Sequence, residues 1–379
     1  GGGGGDGDGD DADKPEFELE GTGDMAADRK GLLKRLRDAI GIDLTKIAIP
    51  VYYNEPTSFL HRMCEACQYY SLLNDACSER VAAADDAVAL RLMYMTAFAI
   101  VPYSSAERTL KPFNPILGET FEWTTRDARF VCEQVSHHPP ICAGHMETDT
   151  WEWWQHKEVK ASFTGNAVVA PPMGATFVRA KRTDDTYSWG GLTSCVHNIL
   201  VGRLWVDHYG KFTVRNADAA RAERADVEFT QCGWFSRGWH QVKATVYARD
   251  GTPAYVLSGH WNDKLYYKRA GAADSTRVLL WQKDTRRPSD QLASFKGFSL
   301  HGQQLNVLDD VRRATLPASD SRFRPDCLAL ALLDYGKAGR EKWQLEEQQR
   351  AERRERAERG DRWRYRWFAP VFKRDVAAA

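Results

Sequence analysis

Long apolar runs are the first thing this sequence lacks. No stretch of about 20 continuously apolar residues occurs, so no membrane-spanning helix is read from it. The nearest approach, residues 92–101, is too short and stands between Arg91 and Pro102. Net charge is missing as well, since 52 Lys and Arg balance 52 Asp and Glu. The balance conceals a segregation. Residues 1–28 hold ten acids against Lys14 alone, a net of −9, which leaves +9 on the remainder. A mildly basic body suits an anionic partner such as a phosphate or a membrane surface. The excess is too small to point to nucleic acid.

Metal and nucleotide signatures are also missing. Cys64 and Cys67 form a C-x-x-C, but no second pair follows at zinc-ribbon spacing, and the other six cysteines are scattered. They read as ordinary helix or core residues. There is no phosphate loop, no nucleophile elbow and no alternation of strand and helix that would build a parallel nucleotide-binding sheet. No metal and no cofactor are expected. No signal peptide is read at the Gly/Asp-rich start, so the thiols are expected to be reduced and the protein cytoplasmic. The chain opens on Gly1 rather than Met, as a piece of a longer protein does.

What is present is ordinary globular material. Hydrophobic residues make up 43% and charged residues 27% of the chain, which excludes a mainly disordered chain, a collagen and a polytopic membrane protein. A length of 379 residues accommodates two or three domains or one large barrel.

The pattern divides the chain into zones. Residues 1–27, dominated by Gly and Asp, read as a disordered tail or linker with little to bury. Residues 28–41 read as an amphipathic helix that Asp28 caps and Gly41 ends, with Leu33, Leu36 and Ile40 on one face and five basic residues on the other. A surface helix and a basic lid or membrane-surface helix fit this pattern equally. Residues 57–101 read as helical, and 85–100 are apolar nearly all round, so that helix belongs inside something.

From 119 to 283 the period changes to two. Val159, Ala161 and Phe163 alternate with polar residues, and so do Val242, Ala244 and Val246. Turn signals recur at 207–210, 250–251 and 190–191. Many short strands with tight turns predict an antiparallel sheet, a barrel or a sandwich. Residues 289–370 return to helix and loop, with a strongly charged helix over 341–360.

Three segments stand out chemically. In EQVSHHPP (133–140) two histidines are followed by two prolines that stiffen the backbone. Neither metal ligands nor a nucleophile accompany the pair. Its imidazoles suit an anion, although a structural role is the commoner fate of such a pair. In KPFNPILGE (111–119) Lys111 and Asn114 sit on a fixed backbone, either as a rigid turn before the first strand or as phosphate donors. Lys342, Glu346 and Arg350 fall at i, i+4 and i+8, drifting only about 40° per step on one helix stripe. A solvated charged face and an anion site both account for that spacing.

Together these segments are more specific than any one alone. EQVSHHPP, KPFNPILGE, DLTKIAIPVYYNEP (43–56), VHNILVGRLW (196–205), GHW (259–261) and SDSRFRPD (319–326) resemble, in order, segments of the oxysterol-binding protein family. The resemblance covers roughly residues 28–370. It implies an α+β, mainly antiparallel β fold: a large incomplete β-barrel enclosing a lipid tunnel, with an N-terminal lid helix and flanking helices. The lipid-binding domain is then 28–376. Leu32, Leu33, Leu36 and Ile40 become the apolar face of the lid.

The resemblance further implies an intracellular lipid-transfer protein, without catalysis. It would exchange phosphatidylinositol 4-phosphate for a second lipid, with sterol favoured and phosphatidylserine the alternative. Carried over by motif, the headgroup site is Lys111, Asn114, His137, His138, Lys342, Glu346 and Arg350, with Glu346 holding Lys342 and Arg350 in register. The implied protein is a monomer, peripheral at anionic membranes or contact sites, with no nucleic acid partner. Two other classes compete with it: a lipid sensor or scaffold with slow transfer, and a hydrolase using His137 or His138 with Glu133. Long family members carry a pleckstrin-homology domain or ankyrin array, and none is read before residue 28, so membrane targeting is not read from this chain.

Overall fold

The computed structural model describes residues 50–105, 107–199, 202–233, 238–286 and 293–369. The expected tail and lid, with Leu32, Leu33, Leu36 and Ile40, lie outside the described residues. The described chain opens with β1 (Asn54–Ser58) and four helices, α1 (Phe59–Glu65), α2 (Ser71–Ala76), α3 (Glu79–Ala82) and α4 (Ala87–Ile100). β2 (Lys111–Phe113) then pairs in parallel with β1. This small sheet was not legible as strand, because its residues carry no alternation: β1 is buried throughout.

The large sheet follows. Its strands are β3 (Thr120–Thr124), β4 (Arg129–His137), β5 (Pro140–Glu147), β6 (Trp151–Glu158), β7 (Ser162–Phe163), β8 (Ala167–Ala170), β9 (Ala175–Ala180) and β10 (Asp185–Trp189). They continue with β11 (Thr193–His197), β12 (Trp205–Asn216), β13 (Arg224–Phe229), β14 (Gln241–Tyr247), β15 (Pro253–His260), β16 (Lys264–Arg269) and β17 (Val278–Gln282). The spatial order runs from β17 down to β12, then β10, β9, β6, β5, β4 and β3, with β11, β8 and β7 branching from β12. Neighbours along this path are antiparallel, and β3 does not pair with β17, so the barrel is incomplete.

Alternation explains the strands where it is strict. In β13, Ala225, Val227 and Phe229 turn inward while Arg224, Asp226 and Glu228 face out, and Val242, Ala244 and Val246 do the same on β14. Two local expectations are corrected. Val159 and Ala161 alternate like a strand, but β6 ends at Glu158 and only Ser162–Phe163 is paired. Residues 207–210 are not a turn. They lie inside β12, where Gly210, at φ +116°, marks a change of partner from β11 to β13. A residue with a Cβ rarely adopts that φ. The Asp250–Gly251 turn is present, with Gly251 at φ +80° and Thr252 N–H donating to Asp250 Oδ1 at 2.9 Å.

Helix α4 packs against β12 to β15, with Leu92, Met93, Met95 and Ile100 fully buried. With the 3-10 turn that continues it, Ala87–Ser105 is long and apolar enough to cross a membrane by length and composition, yet 72% of that apolar window is buried inside the protein.

After the sheet come α5 (Leu300–Gln304), α6 (Asp310–Thr315), α7 (Pro325–Ala331) and α8 (Tyr335–Arg359). Helix α8 starts six residues before the expected 341, with Asp334 accepting from Lys337 N at 2.9 Å, and ends at left-handed Gly360. Residues 319–322 cover the free edge of β3. Thr120 N–H donates to Ser319 O at 2.9 Å, Glu122 N–H to Asp320 Oδ2 at 3.2 Å, and Arg322 Nη2 to Glu122 O at 2.7 Å. An uncovered edge is a template for unwanted pairing.

Candidate functional site

Helix α8 is the spine of the site. Ala338, near its start, is buried with Val51, Phe113 and the α7 residues Ala329 and Leu330. That cluster fixes the helix beside β2. Lys111, the first residue of β2, is held by Asn54 on β1, whose Nδ2 donates to Lys111 O at 3.1 Å. Burial, and then the Lys342 charge, pull the Lys111 ammonium down to about 8, against a smaller opposing effect of Glu346. Lys111, Lys342 and Glu346 thus form one group, in which Lys342 Nζ pairs with Glu346 Oε1 at 2.8 Å.

Glu346 pairs with Lys342, and Arg350 pairs with Glu347, three residues back, including a contact from Arg350 Nε at 3.1 Å. Both arrangements are within reach on a helix, where i+3 and i+4 neighbours share a face.

The histidines reach α8 through a residue the sequence reading missed. His137 ends β4 and His138 begins the turn to β5, with a cis bond to Pro139 and rings 4.6 Å apart. Gln349 Oε1 accepts from Leu117 N–H at 2.8 Å, which leaves its amide nitrogen facing His137 Nε2 at 2.7 Å. His137 therefore accepts at Nε2 and is neutral in this arrangement. Gln349 lies seven residues from Lys342, about 10 Å along the helix axis. It shares the charged stripe, and that spacing was the available signal.

Asn114 sits in the loop between these groups with its side chain exposed. Below it, Arg324 Nη1 donates to Asn114 O at 2.7 Å and to Glu119 Oε2 at 2.8 Å, while Nη2 reaches Asp326 Oδ2 at 2.6 Å. Ser321 Oγ donates to the other Glu119 oxygen at 2.6 Å. KPFNPILGE and SDSRFRPD are thus two halves of one buried polar network. Gly118 completes the loop at φ +79°, and a Cβ there would collide with the Trp363 ring.

Glu133, weighed as a hydrolase partner of the histidines, is fully buried and accepts from the backbone N–H groups of Arg366 and Trp367 at 3.0 and 3.1 Å. It anchors the aromatic and basic tail segment. Cys64 and Cys67 are buried, and burial pushes both thiols up, so both are held protonated.

A cleft of about 290 Å³ adjoins this group. Phe59 and Met63 of α1, Phe98 of α4, Trp153 of β6 and Trp189 of β10 supply its apolar walls. Gln155, Lys157, Lys160 and Ser194 supply polar edges. The His137–His138 turn leads directly into β5, where Ile141 and Cys142 pair with Glu158 and Lys157. Val159 of the cleft wall donates its N–H to Pro140 O at 3.0 Å, so the cleft begins two residues from His138, while Cys142, opposite Lys157, lies about 13 Å of strand from His138.

The family model described as oxysterol-binding protein matches residues 31–377. The mouse oxysterol-binding protein-related protein 3 is 36% identical over 319 residues, which cover 83% of this chain and 36% of that protein. The Arabidopsis thaliana related protein 3B is 34% identical over 347 residues, covering 90% of this chain and 73% of that one. The chain thus spans about a third of the length of the mammalian relative. Among solved structures, the Osh1 ORD domain in complex with cholesterol matches with a TM-score of 0.78 and 30% identity, covering 90% of this chain and 83% of that one. The Osh3 ORD from Saccharomyces cerevisiae in complex with PI(4)P matches at 0.74 and 29%, covering 90% and 88%. With its open antiparallel barrel, its flanking helices and a family match over most of its length, the chain belongs to the oxysterol-binding protein family.

Proposed function

We propose that this chain is a lipid-transfer domain that exchanges phosphatidylinositol 4-phosphate for a second lipid, with sterol the favoured partner. One observation carries the reading: α8 lines up Lys342 and Glu346 with Lys111, and Gln349 with His137, beside the mouth of an apolar cleft. Lys111, Lys342 and Arg350 meet the headgroup's negative charges. His137 and His138 donate once they turn to a phosphate, Asn114 adds a neutral donor, and Glu346 accepts from inositol hydroxyls. The acyl chains enter the cleft, where burial is worth about 0.8 kcal/mol per CH₂. Two solved relatives, one bound to cholesterol and one to PI(4)P, support the two cargo classes.

The exchange makes and breaks no covalent bond, so the domain works without catalysis and without a metal. Residues 28–41 act as the lid. The protein acts as a monomer in the cytoplasm, peripheral at anionic membranes or organelle contact sites. The test is extraction from vesicles. Replacing His137 and His138 together by Ala lowers phosphatidylinositol 4-phosphate extraction by roughly tenfold or more. Sterol uptake stays near the starting value. Equal loss of both lipids in a folded variant would refute this division of labour.

A further inference from the structure

The inner face of β6 changes character along its length. Trp151 and Trp153 are buried; Gln155 and then Lys157 follow at the same two-residue period and line the cleft. Gln155 is occupied, since its Nε2 donates to Thr176 Oγ1 at 2.5 Å. Lys157 is not. Among the described residues it makes no ion pair and no hydrogen bond. Its neighbours are two thiols: Cys67 lines the same cleft, and Cys142 is its cross-strand partner. Burial pushes both thiols up, so they bring no negative charge, and Cys142 donates instead to Gln134 Oε1 at 2.7 Å.

Two other basic residues line the cleft: Lys160 is exposed to solvent, and Arg62 is already matched. Arg62 donates to both oxygens of Glu55, at 2.8 and 2.7 Å, and to Leu110 O at 2.8 Å. Glu158 also lines the cleft, but its carboxylate is not among the charges acting on Lys157. Lys157 is half-buried in the cleft wall, and burial pulls its ammonium down. A neutral hydroxyl supplies one hydrogen bond there but leaves the charge uncompensated.

We propose that Lys157 determines the specificity of the cleft, selecting an amphiphile that presents an oxyanion to it while its apolar body lies against Trp153, Phe98 and Trp189. The oxyanion is a sulfate, carboxylate or phosphodiester. This rests on the exchange reading, because it concerns the second cargo of the same cleft, and it narrows that cargo from a plain sterol to an anionic amphiphile. The position is distinct from the headgroup group on α8, lying about 13 Å of strand from His138.

The test uses matched probes with the full chain: cholesterol against cholesteryl sulfate, and phosphatidylcholine against phosphatidylserine, each in competition. Uptake of phosphatidylinositol 4-phosphate is measured in the same samples, and the thermal melt of each variant reports folding. The unaltered chain retains the anionic member of at least one pair roughly tenfold more tightly. Lys157→Met keeps the length, removes the charge and brings that pair to near equality, while Lys157→Arg restores the preference. A preference confined to one pair tells a sterol body from a phospholipid one. An unchanged ratio in Lys157→Met overturns the proposal and leaves the exchange reading standing. An unaltered chain that takes up neither member of either pair overturns both.

Discussion

Lys111 titrates at about 8 because burial and the Lys342 charge both disfavour its ammonium. A phosphate held against it reverses that preference, so binding takes up a proton from solution once the free group has lost its own. Headgroup affinity should therefore be level below about pH 7.5 and fall by up to roughly tenfold per pH unit above about 8. Lys111→Arg should remove that dependence, because a guanidinium stays charged throughout the range. Vesicle binding between pH 6.5 and 9 measures both. At this scale the candidate residues were legible only partly. Lys111, Lys342 and Glu346 do come together, but the sequence gives no means of knowing that Arg350 also reaches Glu347, since Glu346 and Glu347 both lie within one helical turn of it. Gln349 was passed over because an amide carries no charge to draw attention, although it makes the recorded link between the histidine turn and the KPFNPILGE loop.

Among elements, the loop carrying Asn114 depends on Arg324, which stands between the buried carboxylates of Glu119 and Asp326. Removing one partner of a buried ion network strands the others. Arg324→Met should cost about 3–5 kcal/mol, read as a lower denaturant midpoint. Headgroup extraction should weaken with it, because Asn114 O loses its donor. Strands whose outer face meets water, such as β13 and β14, were legible from their alternation. β1 was not, since burial on both faces erases the period. Val159 and Ala161 misled for the opposite reason: the stretch alternates, but after Val159 N–H donates to Pro140 O the ladder stops at the cleft rim. The Asp207–Gly210 signal misled because a glycine that lets a strand exchange partners looks, in sequence, like one that reverses the chain.

For the whole molecule, the antiparallel sheet and its bracketing helices followed from periodicity, while closure into an open barrel around a cleft came from the family resemblance. Strand order depends on contacts far apart in the chain, which no local pattern encodes. The proposed lid has its own test. A chain lacking residues 1–41 should melt at nearly the same temperature but release bound fluorescent sterol several-fold faster, and unchanged release would remove the lid assignment. The seal on β3 also bears on how the chain is made. The last strand of the sheet ends at Gln282, but the residues that cover the β3 edge begin at Ser319. At about 5–20 residues per second, a ribosome needs roughly 2–7 s to cross that interval. During it, a nascent sheet with all its strands synthesised still presents an open flank, the moment at which a chaperone is most useful to it.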